Sequence, residues 1–133
     1  MTRLTTLLAF ALATPMLAAC AVPYNVGVRA VDGATVALLP GETARLTNGG
    51  SLRYLQLVND SRCPPDVQCV WAGDAVIALQ WMPATGATRG LELHLNPRAD
   101  ADSNHIDLDG RRITFTALSR QGAQASLQVT TQP

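Results

Sequence analysis

The chain has 133 residues, with ten acidic side chains balanced by ten arginines and no lysine, so its formal net charge is zero and its pI is near 6.7. No basic stripe and no pI above about 9 appears, which excludes nucleic-acid binding of the electrostatic kind. The length is that of one domain once an N-terminal segment is set aside.

That segment comes first. Met1, Thr2 and Arg3 form a short positive start, and Leu4 to Leu17 form an apolar run broken only by threonines and Pro15. The order is that of an export signal. The run is shorter than the roughly 20 apolar residues a spanning helix needs, and no basic stop-transfer cluster follows before Asn25, so a cleaved signal is expected rather than a retained anchor.

The signal ends Leu17-Ala18-Ala19-Cys20, which resembles the lipobox of bacterial lipoproteins. The resemblance implies cleavage before Cys20, a diacylglycerol on its sulfur and acylation of the new amino group. Ala21 rather than Asp in the next position implies delivery to the outer membrane, facing the periplasm, if the source is Gram-negative. One acyl chain holds a protein only marginally, whereas two or three hold it nearly irreversibly. The expected organisation is a signal peptide over 1–19, a lipidated tether over 20–24 and a single all-β domain over 25–133. Removing residues 1–19 from the 133 leaves 114, enough to bury roughly two-thirds of the surface of the unfolded chain.

Strand and turn signals alternate through the rest. Val26 to Val31 and Thr35 to Leu39 flank Asp32-Gly33, which predicts a first hairpin. Pro40-Gly41 turns the chain into a short strand over Glu42 to Leu46, and Asn48-Gly49-Gly50 turns it again before Leu52 to Val58. The apolar parity slips within that last strand, which predicts a bulge near Tyr54. From Val70 to Met82 both parities are apolar, so a central strand covered on both faces is expected. Leu91, Leu93 and Leu95 alternate with Glu92 and His94, the pattern of a strand with one wet face. Ile106 and Leu108 with Ile113, Phe115 and Ala117 predict a hairpin across Asp109-Gly110, and Leu127 and Val129 close the domain. About eight strands without a helical stripe predict an antiparallel β-sandwich of immunoglobulin-like packing, with a small closed barrel as the alternative.

With Cys20 assigned to lipid, Cys63 and Cys69 remain as a pair in a compartment where disulfides persist. A disulfide is the expected state. Free thiols or a zinc site are the alternatives, the latter two ligands short of the usual four. The stretch Asp60-Ser61-Arg62-Cys63-Pro64-Pro65-Asp66-Val67-Gln68-Cys69-Val70-Trp71-Ala72-Gly73 resembles a D-S-R-C-P-x-x-V-x-C-V-W-A-G signature of small secreted proteins and lipoproteins of bacteria. The resemblance implies kinship over most of the mature domain and carries no activity with it. In physical terms, Pro64 and Pro65 stiffen a loop that a disulfide would close, so Asp66, Val67 and Gln68 would be presented to a partner at little entropic cost. The expectation taken forward is instead a brace, with Trp71 in the core and Arg62 paired to Asp60 or Asp74.

Other chemistry finds little support. Asp100-Ala101-Asp102-Ser103-Asn104 begins like a calcium loop, but His105 stands in place of the turn glycine and Arg111 in place of the closing Glu, so a solvated acidic turn is expected. His94 and His105 read as isolated surface residues, and no metal or cofactor is expected. No G-x-S-x-G elbow, H-E-x-x-H pair or phosphate loop occurs, so no catalytic residue is named. The functional expectation is a membrane-anchored envelope lipoprotein, non-catalytic, structural or protein-binding. An inhibitor of a lysozyme or protease acting through the 63–69 loop is the alternative. Mass analysis of the N-terminal peptide from envelope-fractionated protein should show cleavage before residue 20 and a diacylglyceryl adduct on Cys20; an intact, acyl-free residue 1–133 chain would refute the anchoring expectation.

Overall fold

The computed structural model describes residues 27–47, 49–98, 103–120 and 123–133. The signal segment 1–19, the lipidation position Cys20, the tether 20–24, Asn48 and the acidic residues Asp100 and Asp102 lie outside the described residues. Among the described residues there are nine strands and no helix. They are β1 (Val28–Ala30), β2 (Thr35–Leu38), β3 (Thr43–Leu46), β4 (Ser51–Asp60), β5 (Ala75–Met82), β6 (Arg89–His94), β7 (His105–Leu108), β8 (Arg111–Leu118) and β9 (Ala125–Thr131).

The strands form two sheets, ordered β1-β3-β4-β5-β6 and β2-β9-β8-β7. Neither sheet closes on itself or on the other, so the fold is a β-sandwich and not a barrel. Alternate residues of each strand face inward and make one core. Leu52, Tyr54, Ile77, Leu79 and Trp81 come from the first sheet, and Leu38, Ile113, Phe115 and Leu127 from the second.

One pairing departs from the antiparallel expectation. β1 and β2 do not form a hairpin; β1 pairs with β3 in parallel and β2 pairs with β9 in the other sheet. The Asp32-Gly33 turn is made, with Ala34 N donating to Val31 O at 2.9 Å. Its strands then separate, because Ala30 belongs to the first sheet's inner face while Val36 and Leu38 belong to the second's, so the two face each other across the core. Gly33 N donates to Val129 O at 2.7 Å, which carries the chain onto β9. A second reversal at Pro40-Gly41 returns it to the first sheet, and two reversals leave β3 running parallel to β1.

The bulge near Tyr54 is present, as a register shift between Tyr54 and Gln56, with a second between Leu57 and Asn59. It keeps Tyr54 inward and turns Leu55 outward, then restores Leu57 to the core side. The β7–β8 hairpin also forms as expected, with Asp109 and Gly110 at φ 49° and 77°, both in the left-handed region that a two-residue hairpin turn requires. The strand expected from Val70 begins only at Ala75. Gly73 has φ +73°, and any side chain there would collide with the carbonyl of Ser61, so regular strand geometry stops at this point.

Tyr54 is completely buried, and its hydroxyl has no hydrogen-bond partner among the described residues. Burial disfavours the phenolate and raises its pKa above 10.0. An orphaned buried hydroxyl costs about 1–3 kcal/mol, so Tyr54→Phe should leave the domain at least as stable near neutral pH. Above pH 10 the unfolded chain ionises this tyrosine and the folded chain does not, so wild-type stability falls there and the Phe variant escapes that part of the loss. Denaturant titrations at neutral and alkaline pH check both; a variant weaker than wild type at neutral pH would mean that the hydroxyl is satisfied in solution.

Candidate functional site

The signature motif forms the connection from β4 to β5, and its base is an extension of their ladder. Ser61 N donates to Asp74 O at 2.7 Å and Cys63 N to Ala72 O at 2.8 Å. The Ser61 hydroxyl accepts from Asp74 N and donates to Asp74 O, each at 3.2 Å. Gly73 permits this approach, since only a residue without Cβ fits against the Ser61 carbonyl.

Cys63 and Cys69 are joined in a disulfide with Cα atoms 6.0 Å apart, the usual span of such a bridge. The disulfide consumes the thiolates that a zinc site would need. Within the ring, Val67 N donates to Pro64 O at 3.2 Å, closing a turn with Pro65 at its second position, where a fixed φ of about −65° is favoured.

Arginines tie this loop to the opposite sheet. Arg62 donates from Nε and one terminal nitrogen to the two oxygens of Asp60, at 2.7 and 2.6 Å, and from the other terminal nitrogen to Leu118 O at the end of β8, at 2.6 Å. Arg120, just beyond β8, donates to Cys63 O at 2.7 Å. Of the two acceptors expected for Arg62, Asp60 is therefore the partner. Hydrogen bonds from the guanidinium hold the Asp60 carboxyl below its ordinary range, and the same contact raises Arg62.

Asp74 is spoken for elsewhere. Its side chain is buried, with Oδ1 accepting from the amides of Ala75 and Asn96 at 2.8 Å each, and Oδ2 lying 2.6 Å from His94 Nδ1. Asn96 returns a bond from Nδ2 to Gly73 O at 2.8 Å. The carboxylate thus fastens the loop's exit to the end of β6. His94 is not the isolated surface residue expected from its place beside Glu92, because the β5–β6 pairing carries it back against Asp74. His105 is likewise half-buried, its Nδ1 3.1 Å from Asn104 Oδ1.

Above this fastened base the loop is open to solvent. Asp66, Val67 and Gln68 are all exposed, as is the adjacent Val70, which is as accessible as in an extended chain. Trp71, expected in the core, is 41% exposed, and the Arg98 guanidinium lies 3.9 Å from its ring centroid in a cation–π stack. Trp81, on the same parity, is the buried tryptophan, packed against Gly50, where any side chain would strike the indole. Sequence reasoning missed the exposure of Trp71 and its contact with Arg98. Gly73 was the available signal, since a left-handed glycine two residues on breaks the run of alternation that appeared to carry Trp71 inward.

Among the described residues no three His, Cys, Asp or Glu side chains gather in a group able to hold a metal ion. No protein-family model, curated protein or solved structure matches the chain significantly.

Replacing Asp74 with Ala should cost about 2–3 kcal/mol, because it strands the amides of Ala75 and Asn96 in a buried site. For Asp60 the folded pKa lies below its unfolded 3.8, so the stabilisation from its pairing with Arg62 is complete above that value and is lost as pH falls through the lower one. The stability gap between wild type and Arg62→Leu should therefore narrow below about pH 3.8. Chemical denaturation across that range measures it, and a gap constant down to strong acid would show that the ion pair contributes nothing.

Proposed function

We propose that this chain is a lipid-anchored, non-catalytic protein of the cell envelope that binds a protein partner through its Cys63–Cys69 loop. One observation carries the reading: Val67 inside the Cys63–Cys69 ring, and Val70 and Trp71 just after it, are exposed at 56%, 103% and 41% on a connection whose base is fastened to both sheets. Exposed apolar side chains gain free energy when a partner covers them, and a preordered loop loses little further entropy in the process. Tryptophan and arginine are among the residue types most enriched at the energetic centres of protein interfaces.

The anchoring half of the proposal rests on the export-signal pattern and on Cys20 in its lipobox-like setting. Cleavage there places the domain in the envelope, at the outer membrane and facing the periplasm in a Gram-negative source.

A second reading, inhibition of a lysozyme or protease, draws on the exposed tip Asp66-Val67-Gln68 between two prolines and a disulfide. The two readings divide on what the tip contacts. A photo-crosslinking residue at position 67 should yield one discrete protein adduct in intact cells, lost when Trp71 is changed to Ser; no protein adduct, or one indifferent to Trp71, would reject loop-mediated binding. Purified protein that slows a lysozyme or a serine protease, with relief on replacing Asp66, Val67 and Gln68 by Ala, would select the inhibitor reading.

A further inference from the structure

The outer face of the first sheet carries an unusual pairing at its β1 edge. Arg29 of β1 stands directly opposite Arg45 of β3, and both are exposed on the face away from the core. Arg53 of β4 lies opposite Thr43 on the same face, with its Nε donating to Gly41 O at 3.2 Å. Like charges in directly opposed positions of a sheet repel. Among the described residues neither Arg29 nor Arg45 has an ion pair or side-chain hydrogen bond to offset this.

The acidic side chains nearby do not supply the missing charge. Glu92 is on this face but on β6, three strands from Arg45, or about 14 Å at the usual strand spacing. Asp32 reaches the rim through Thr47, but both its oxygens are engaged by Arg111, at 2.7 and 3.1 Å. Arg29 and Arg45 also line an open cleft of about 420 Å³, with Ala30, Val31, Leu46 and Ser51 around it. Such a cleft admits a phosphate-bearing headgroup, and guanidinium forks match phosphate oxygens in pairs.

What would lie against this edge follows from the chain itself. Gly27, where β1 is entered, is seven residues from Cys20, so the edge can stand no more than about 25 Å from an acylated Cys20. We propose that the β1–β3 edge docks on anionic phospholipid headgroups, with Arg29 and Arg45 on the phosphates, so that the domain is oriented on the membrane as well as tethered to it. The proposal rests on the lipid-anchor reading above. It leaves the cysteine loop uncovered, because that loop follows Asp60, seven residues of β4 beyond Arg53 and about 23 Å away along the strand.

The test uses the chain as cells process it, purified in detergent and reconstituted into vesicles of phosphatidylglycerol or of phosphatidylcholine, with the N-terminal peptide weighed from the same preparation. Acylated protein should show slowed hydrogen exchange over 28–46 on phosphatidylglycerol only, with the difference lost in Arg29→Gln/Arg45→Gln. Acylated protein whose exchange is the same on both lipids overturns the docking face and leaves the anchor standing. Should the peptide prove unacylated, the anchor reading fails, and cosedimentation then decides the face by itself. Selective binding to phosphatidylglycerol, weakened about fivefold for each arginine removed, supports it, and no selective binding overturns it. Slowed exchange produced equally by inorganic phosphate in detergent would overturn it as well, by making the cleft a site for the soluble ion. Both arginines are exposed strand residues, and an unfolding midpoint in the double variant no lower than that of wild type confirms that loss of folding is not the cause.

Discussion

The guanidinium of Arg62 is the joint between the two halves of this molecule. It neutralises Asp60 at the end of one sheet and donates to the Leu118 carbonyl at the end of the other. At the opposite end of β8, Arg111 does the corresponding work, binding Asp32 with two nitrogens and Thr47 with one of them. β8 is thus tied to the facing sheet at both ends, outside the apolar layer, by planar groups that can satisfy several acceptors at once. Lysine has three donors but no fork, so the arginines are not replaceable here on charge alone.

Because the loop's base is fastened by Arg62, Arg120, Asp74 and a short backbone ladder, its tip needs no contact with the core. The disulfide closes only residues 63 to 69, and the bonds that place that ring on the sandwich lie beneath it. The division explains how Val67, Val70 and Trp71 can face water without the loop collapsing onto them. Trp71, which the brace reading would bury, is among the residues left facing water.

Much of the architecture was legible in residue order. Alternating apolar positions gave the inner faces, the parity slip gave the bulge at Tyr54, and Asp109-Gly110 gave a hairpin, because each of these is a local property of a few neighbouring side chains. What was not legible depended on residues far apart. Asp32-Gly33 encodes a reversal, but whether the next strand pairs beside β1 or across the core is decided by β9, about ninety residues later. Trp71 and Trp81 lie on the same parity, and only the glycines at 50 and 73 distinguish the buried indole from the exposed one. In the site, the cysteine pairing was readable from count and compartment. The partnership of His94 with Asp74 was not, since it arises from strand register.

The pairing of β2 with β9 also fixes when the protein can fold. Thr35 to Leu38 have their ladder partners at 125–128, and Asp32 meets Arg111 from 79 positions away, so the second sheet has no interior until nearly the last strand has arrived. Contacts of such high sequence separation are slow to form, because the closure entropy of long loops comes before any reward. A chain of this topology gains its stability late, when its C-terminal strand is in place. Loss of the last strand would therefore leave the second sheet without the partner that orders β2.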